Sequence, residues 1–191
     1  MSGRRFPEFR LGKVLATSFT ATLTERRGEP VERVPVPERL VDWLAVHGLR
    51  VDACSESQWE RARQLREAIH EAATAVATRA PLPAAAVRII NDRSTGGRAS
   101  AVLSPRGGQE WHLDSASVED ALSVIAADAV DIVSGAREGR MALCASPTCR
   151  AAFFDTSRGA TRRWCEMNTC GNREKKARFL ANKRQAPSRA D

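Results

Sequence analysis

Apolar side chains recur at intervals of three and four residues through the middle of the chain, which predicts a long amphipathic helix. Ser55 and Gln58 precede this stretch and stand three positions apart, an arrangement typical of a capping box at a helix N-terminus. The helix is expected to end before Pro81, because proline cannot continue a helix from its interior. Its predicted buried stripe consists of Trp59, Ala62, Leu65, Ile69, Ala72 and Val76.

Three further stretches carry a helical pattern of apolar residues. The first covers residues 37–48, with a proline suited to the first turn and a glycine at the end. The second, residues 84–91, is predicted as a helix, although its β-branched residues would also suit a strand. The third starts at Ser117, whose hydroxyl can cap a helix, and ends at Gly135. Helices therefore dominate the predicted structure between residues 37 and 135.

The remaining patterned stretches favour strands and loops. Residues 6–23 mix β-branched, aromatic and hydroxyl side chains, a composition that favours one or two strands. Residues 25–37 are charged and contain a glycine and three prolines, so they are predicted as a loop. Residues 99–104 and 109–114 are predicted to form an antiparallel hairpin around a turn that contains glycine. The fold class expected for residues 1–139 is therefore α+β, with short antiparallel strands and several helices.

The charge of the chain divides it into two unlike parts. The 191 residues carry a net charge of +7, with 30 Lys and Arg against 23 Asp and Glu. Residues 1–143 hold 19 of each sign, whereas residues 144–191 hold 11 basic and 4 acidic side chains. The second part also contains four of the five cysteines. We therefore predict a domain over residues 1–139, a small basic module over residues 140–185 and a flexible tail over residues 186–191.

The sequence gives no sign of membrane insertion or secretion. No run of about 18 apolar residues is present, and the first ten residues lack the apolar segment of a signal peptide. We therefore expect a cytoplasmic protein with no membrane partner. In a reducing cytosol, clustered cysteines hold metal more often than they form disulfides.

The four C-terminal cysteines follow the pattern C-x4-C-x15-C-x4-C. Two closely spaced pairs suit tetrahedral zinc, because each pair can bend the chain around one edge of the metal while the intervening loop joins the edges. Two disulfides or four unrelated thiols are the alternative interpretations. The predicted cofactor is one Zn²⁺ ion, and its predicted ligands are Cys144, Cys149, Cys165 and Cys170.

The residues around the cysteine pairs predict the fold of the basic module. Residues 151–164 alternate apolar and polar side chains briefly, which indicates a short hairpin between the two pairs. Residues 173–184 are rich in helix-forming side chains and contain no Gly or Pro, so they are predicted as a helix. A metal knuckle followed by a hairpin and a helix is a treble-clef-like arrangement.

A specific signature surrounds the second cysteine pair. The run Arg-Trp-Cys-Glu-Met at residues 163–167 is followed by Cys-Gly-Asn-Arg at residues 170–173. This closely resembles the CGNR zinc finger of bacterial proteins that carry an N-terminal ABATE domain and have been ascribed a role as stress-induced transcription regulators. Residues 15–23, Arg27-Gly28 and residues 37–48 fall in the order and spacing of that N-terminal domain. The resemblance covers nearly the whole chain and implies a regulator with a zinc finger.

One stretch departs from the pattern of this family. Relatives usually have Leu-Asp-Phe-x-Asn-Thr near the first strand, whereas residues 17–22 read Thr-Ser-Phe-Thr-Ala-Thr. Ser18 therefore stands in place of the acid and Ala21 in place of the amide. If the family's polar groups serve a ligand site, that site is in question here. If they satisfy backbone groups, Ser18 and Thr22 can substitute.

The module stays basic after its metal is counted, because four thiolates and one Zn²⁺ ion together contribute about −2. A helical projection places Arg173 and Leu180 on one side of the last predicted helix, and Lys175 and Arg178 on the other. The second side is expected to face solvent or nucleic acid; a merely solvated helix face is the alternative. The predicted nucleic-acid contacts are Arg158, Arg162, Arg163, Lys175, Lys176, Arg178 and Lys183.

Three residues of the signature are predicted to have structural roles. Arg173 shares the apolar side of its helix and is expected to support the zinc knuckle rather than read bases. Asn172 is expected to organise the metal turn through hydrogen bonds. Trp164 immediately precedes a zinc ligand and is expected to pack beneath the finger instead of stacking on bases.

The segregated charge and the family resemblance together predict a DNA-binding transcriptional regulator. Its finger would contact DNA, and its N-terminal domain would sense a small-molecule ligand or mediate association. The alternative is an adaptor whose finger binds RNA or a protein partner without promoter specificity. An enzyme is not expected, because the three histidines are scattered and no P-loop or dinucleotide motif is present. The oligomeric state and the identity of any effector stay open.

Overall fold

The computed structural model describes residues 6–185, and the side chains as far as residue 183. The tail predicted over residues 186–191 lies outside the described residues. Within the described range, helices alternate with three two-stranded antiparallel sheets. This confirms the predicted α+β class with a C-terminal four-cysteine module. None of the described helices combines the length and the apolar character that a membrane span requires.

The centre of the molecule is formed by helices α3 (Glu56–Thr78), α4 (Ala84–Thr95) and α5 (Val118–Ser134), which pack on one another. The predicted capping box begins α3: the Ser55 hydroxyl accepts the Gln58 backbone N–H, and the Gln58 side chain accepts the Ser55 N–H. Both predicted boundaries of α3 are thus confirmed, since the helix ends at Thr78.

Helix α5 follows the sequence pattern equally closely. The Ser117 hydroxyl accepts the Asp120 N–H at 3.2 Å, and the helix stops at Gly135, whose φ of 80° is in the left-handed region. A shorter helix, α2 (Pro37–Val46), starts with the predicted proline and buries Trp43 completely. The apolar stripe of α5 is buried throughout and consists of Val118, Leu122, Ile125, Ala129 and Ile132.

The extended structure predicted for residues 6–23 is wrong, because this stretch contains helix α1 (Leu15–Thr20). Burial against α3 and α5 outweighs the strand propensity of its hydroxyl and aromatic side chains. Phe19 is 2% exposed, and the Ala16 N–H donates to Asp128 Oδ2 at 2.7 Å on α5. These contacts lie far away in sequence, so local composition does not reveal them.

The loop predicted for residues 25–37 also contains a strand. Strand β1 (Leu23–Thr24) pairs with β2 (Val31–Glu32), and Leu23 stands opposite Glu32. The pairing is short, which is why its residues give no periodic signal. The turn between the two strands projects toward the cysteine module, as described below.

The predicted hairpin of residues 99–114 is confirmed as β3 (Ala99–Leu103) and β4 (Gln109–Leu113). Asp120 of α5 anchors it, since its carboxylate accepts the Arg98 N–H at 2.7 Å and the Ser115 N–H at 2.8 Å. Burial alone would raise the pKa of Asp120, but hydrogen bonds from Ser115 and Arg98 lower it to about 2.

The third sheet joins the cysteine module to the rest of the molecule. Strand β5 (Arg140–Leu143) pairs with β6 (Ala152–Asp155), and the first cysteine pair forms the connection between them. The hairpin predicted inside residues 151–164 is therefore wrong: this segment supplies one strand, whose partner precedes Cys144. Burial explains the difference, because β6 packs against α1 and α3. The main core includes Met141, Ala152 and Phe154.

Candidate zinc centre and nucleic-acid interface

The four cysteines of residues 144–170 converge on one point. Their sulfur atoms all lie within 4.8 Å of one another, and no disulfide joins them. The Sγ of Cys165 is 3.7 Å from the Sγ of both Cys149 and Cys170. A tetrahedral Zn²⁺ with bonds of about 2.3 Å requires sulfur atoms roughly 3.8 Å apart. The donor set and its spacing therefore fit one zinc ion, as predicted.

Two tight turns bring the ligands together. After β5, the Cys144 N–H donates to the Ala151 carbonyl at 2.9 Å, which closes the knuckle that carries the first pair. In the second pair, Cys165 precedes a single π-helical turn, Met167–Gly171, and Cys170 lies within that turn, which leads directly into helix α6 (Asn172–Gln185). The last ligand, Cys170, thus stands at the start of a helix, as in a treble clef.

Two of the four thiols have pKa values that are shifted in opposite directions. Hydrogen bonds from Cys149 and Cys165 lower the pKa of Cys144 to about 3, although burial opposes the change. Hydrogen bonding with Cys144, and to a smaller extent with Cys149, raises the pKa of Cys165 above its usual value. A Cys144 thiolate beside a protonated Cys165 thiol is therefore favoured, and Zn²⁺ binding would displace the Cys165 proton.

Gly171 permits close packing behind the second pair. A Cβ atom at this position would lie 3.2 Å from Trp164 Cδ1 and would collide with the sulfur of Met167. Trp164 is half-buried and packs against the cysteine cluster, with the Arg163 guanidinium 5.2 Å from its ring. Asn172 donates from Nδ2 to the Asn168 carbonyl at 3.3 Å, which bridges the π-helical turn.

The Arg173 side chain contacts three groups of the protein. Its Nη2 atom lies 2.8 Å from the Ser146 hydroxyl and 3.7 Å from Cys170 Sγ. Its Nη1 atom lies 3.1 Å from Glu25 Oε1, in the turn between β1 and β2. Hydrogen bonding to Glu25 raises the pKa of Arg173, so the guanidinium stays charged. Arg173 therefore links the first knuckle, the last ligand and the N-terminal region.

The same β1–β2 turn holds the first knuckle directly. The Thr148 hydroxyl donates to Glu25 Oε2 at 2.6 Å, and the Arg27 N–H donates to the Thr148 carbonyl at 3.0 Å. Glu25 has a φ of 54°, a left-handed conformation that directs its side chain into this contact. Sequence reasoning missed Glu25 and Thr148, because two exposed-looking polar residues 123 positions apart give no local signal.

Comparison with protein families assigns both parts of the chain. Residues 13–136 match the family model ABATE, described as a putative stress-induced transcription regulator. The chain belongs to the ABATE family. Residues 140–183 match the CGNR zinc finger, so the two regions occur in the order that the sequence resemblance implied. These families are of regulatory and zinc-finger type and are not known enzymes. None of the curated proteins matches the chain.

The loop of the CGNR finger that follows β6 is held by Asp155. This carboxylate is fully buried and accepts the backbone N–H groups of Ser157 and Arg162, each at 2.9 Å. Burial would raise the pKa of Asp155, but the hydrogen bonds from Ser157 and Arg162 lower it. Arg162 in turn donates to the Cys165 carbonyl at 2.8 Å. The loop that bears three of the predicted phosphate contacts is therefore fixed in position.

All seven predicted nucleic-acid contacts are exposed. Arg162 and Arg163 also have local partners, the Cys165 carbonyl and the Trp164 ring. The side chains of the other five form no hydrogen bond or ion pair with any described residue of the chain. These five are Arg158, Lys175, Lys176, Arg178 and Lys183.

Helix α6 of the finger is exposed on every side over its described side chains beyond Glu174. Leu180, on the expected apolar side, is 44% exposed, so this side is not covered by the rest of the chain. Phe179 is 68% exposed and lies between Lys175 and Lys183 on the helical projection. Sequence reasoning missed Phe179, although an aromatic residue in a helix face of lysines is itself a signal.

Proposed function

We propose that this chain is a cytoplasmic, DNA-binding transcriptional regulator, in which the CGNR finger contacts DNA and the ABATE domain responds to a small molecule. The observation that carries the proposal is the composition of one face of α6, a helix that is exposed on every side. That face presents Lys175, Arg178 and Lys183 around the exposed ring of Phe179. Cations without partners can neutralise phosphates, and an exposed aromatic ring among them can contact bases.

The different environments of the basic residues of α6 support this proposal. Arg173 is held by Glu25 and Ser146 within the protein, which leaves it as a support for the finger. The cations further along α6 have no such partners among the described residues, so their charge is available for phosphates. Asn172 and Trp164 face the metal turn in the same way and act as supports.

The docking of the finger on the ABATE domain also supports a regulatory role. Glu25 and Thr148 join the β1–β2 turn to the first knuckle, and Arg10 lies 3.6 Å from Glu166 beside the third ligand. A change in the ABATE domain can therefore alter the position of α6 through direct contacts. This coupling is what a ligand-responsive regulator requires.

The decisive experiment measures binding of the zinc-loaded protein to genomic duplex fragments by fluorescence anisotropy at several salt concentrations. We expect one fragment to compete better than random DNA, with a log–log salt slope that falls by about 0.9 for each phosphate contact removed. Lys176→Gln should reduce the slope in this way. Arg88→Gln, which removes an exposed charge on α4, is the matched control and should leave the slope unchanged.

Leu180 and Phe179 favour one competing function. Apolar side chains exposed on a helix face also suit a protein partner, and basic residues serve RNA as well as DNA. Equal affinity for folded RNA and for every duplex, or capture of a protein by the zinc-loaded chain but not by chelated protein, would favour an adaptor. Failure of every genomic fragment to compete better than random DNA would exclude promoter recognition.

A further inference from the structure

A cavity of about 320 Å³ lies between helix α1 and the CGNR finger. Its α1 wall includes Val14 and Ala21, and its finger wall includes Phe153 and Met167. Small-molecule sites in proteins are concave, mostly apolar and begin at about 300 Å³, so this cavity is of a size to hold one compact organic molecule. It adjoins the zinc centre, because Cys165, the third predicted zinc ligand, lines it, whereas none of its lining residues belongs to α6.

The cavity is lined by more basic than acidic side chains. Arg10, Lys13 and Arg162 line it, whereas Glu166 is its one acidic lining residue. The Glu166 carboxylate is already shared, since Arg10 Nε lies 3.6 Å from it and the Thr169 hydroxyl donates to it at 2.8 Å. The lining side chains therefore carry a positive surplus, which the zinc-bound thiolate of Cys165 at the cavity wall offsets in part. The preference for an anion then rests mainly on the Arg10 side chain.

Arg10 also offers a donor that the rest of the described protein does not use. Its Nη1 atom is buried without a hydrogen-bond partner among the described residues. A buried donor in this state is unfavourable, and a ligand oxygen would satisfy it. Ser18 holds the segment that carries Arg10 in place, because its hydroxyl accepts the Gly12 N–H at 2.8 Å.

We infer that this cavity binds a small organic carboxylate with an apolar body, such as an aromatic or medium-chain acid. The carboxylate would pair with Arg10 and Lys13, and the apolar body would lie between α1 and Phe153. The ligand would thereby touch both the ABATE domain and the third zinc ligand, Cys165, together with Glu166 and Met167. The inference identifies the chemical class of the effector in the proposed function. Binding of the carboxylate does not depend on that function, but a regulatory role for the bound carboxylate does.

Isothermal titration calorimetry of the full, zinc-loaded chain tests the inference. The probes are 1-naphthoate and octanoate, each compared with its uncharged primary amide. We expect at least one carboxylate to bind with one molecule per chain and at least tenfold more tightly than its amide. Saturable binding of neither carboxylate, or equal binding of acid and amide, would overturn the inference.

Two variants locate the site. Ala21→Phe should fill the cavity and abolish binding, whereas Ala127→Phe on the exposed side of α5 should leave binding unchanged.

Lys13→Glu should weaken binding of the carboxylate at least fivefold, and Arg88→Glu is its control. Because Lys13 is exposed, this variant is expected to fold even if Ala21→Phe does not. Unchanged affinity in Lys13→Glu would overturn the inference.

The same preparations separate this inference from the proposed function. Duplex binding is measured on each of them without carboxylate. If DNA binding fails while carboxylates bind at the cavity, the proposed function is refuted and the carboxylate site is supported. If DNA binding is normal while no carboxylate binds, the carboxylate site is refuted and the proposed function is supported.

Discussion

The Arg173 guanidinium lies 3.1 Å from the Glu25 carboxylate, and this contact joins the helix of the finger to the β1–β2 turn of the ABATE domain. Arg173 is the last residue of the CGNR signature, and Glu25 stands nearly 150 positions earlier in the chain. Glu25 is the more buried partner, with a side chain 11% exposed against 45% for Arg173. The pair therefore serves the docking of two regions as well as the metal knuckle.

Replacement of Arg173 by Gln should destabilise the zinc-loaded protein by about 1–3 kcal/mol, because the Glu25 carboxylate would remain buried without its cation. Urea denaturation at neutral pH measures the change. Adding Glu25→Gln to that variant should recover part of the loss, since the unpaired charge is then removed. Strict additivity of the two substitutions would contradict the coupling. Arg178→Gln is the matched control and should change stability by less than about 0.5 kcal/mol.

Replacement of Cys165 by Ser should abolish tight zinc binding, because three thiolates remain in a site built for four. The bound metal per chain can be measured by mass spectrometry after dialysis. We expect the whole chain to melt at a lower temperature, since β5 and β6 belong to the main core. Cys54→Ser is the matched control, because Cys54 lies outside the cluster, and it should retain one zinc. A full zinc complement in Cys165→Ser would rule out the four-cysteine site.

Asp120 should make stability depend on acid pH. Its pKa falls from an ordinary 3.8 to about 2 on folding, so its carboxylate stabilises the native state above pH 4, and this contribution disappears as pH falls toward 2. The contribution is about 2 kcal/mol at neutral pH. Asp120→Asn should lose that amount at pH 7 and differ little from the native chain near pH 2. Zinc loss in acid affects both proteins alike, so the difference between their unfolding free energies is the quantity to compare.

Phe179→Ala should weaken binding to duplex DNA without changing its salt dependence. The ring carries no charge, so its loss removes an apolar or stacking contact worth about 1–3 kcal/mol and releases no counterion. Stability should be unchanged, since the side chain is 68% exposed. Lys176→Gln provides the contrast, with a smaller salt slope. An unaltered affinity in Phe179→Ala would remove the ring from the interface.

Local patterns predicted the elements that depend on neighbours in sequence. The capping box at Ser55, the stop at Gly135 and the four zinc ligands all rest on spacings shorter than about twenty residues, and each is found in the structure. The metal site was predictable because thiols in two close pairs have few other uses in a reducing compartment.

The features that the sequence predicted wrongly or missed depend on contacts between segments that are distant in sequence. Residues 15–20 are helical because α3 and α5 cover them. Strand β6 pairs with β5, which precedes the first cysteine pair, and not with a later segment. The contact between Glu25 and Thr148 spans 123 positions. Such elements are selected by burial against distant segments, which neither propensity nor spacing within the segment records. The cavity beside Ala21 has the same origin, since its two walls come from opposite ends of the chain.

The β5–β6 hairpin gives the molecule an unusual order of assembly. Phe154 completes a core whose other members lie mostly before residue 133, yet it follows the first zinc knuckle in the chain. During synthesis, Phe154 therefore becomes available to the core only after the first cysteine pair has been made. A chain cut at residue 139, between the two family regions, would leave the apolar surface of α3 uncovered. The main hydrophobic core thus runs across the boundary between the ABATE and CGNR regions.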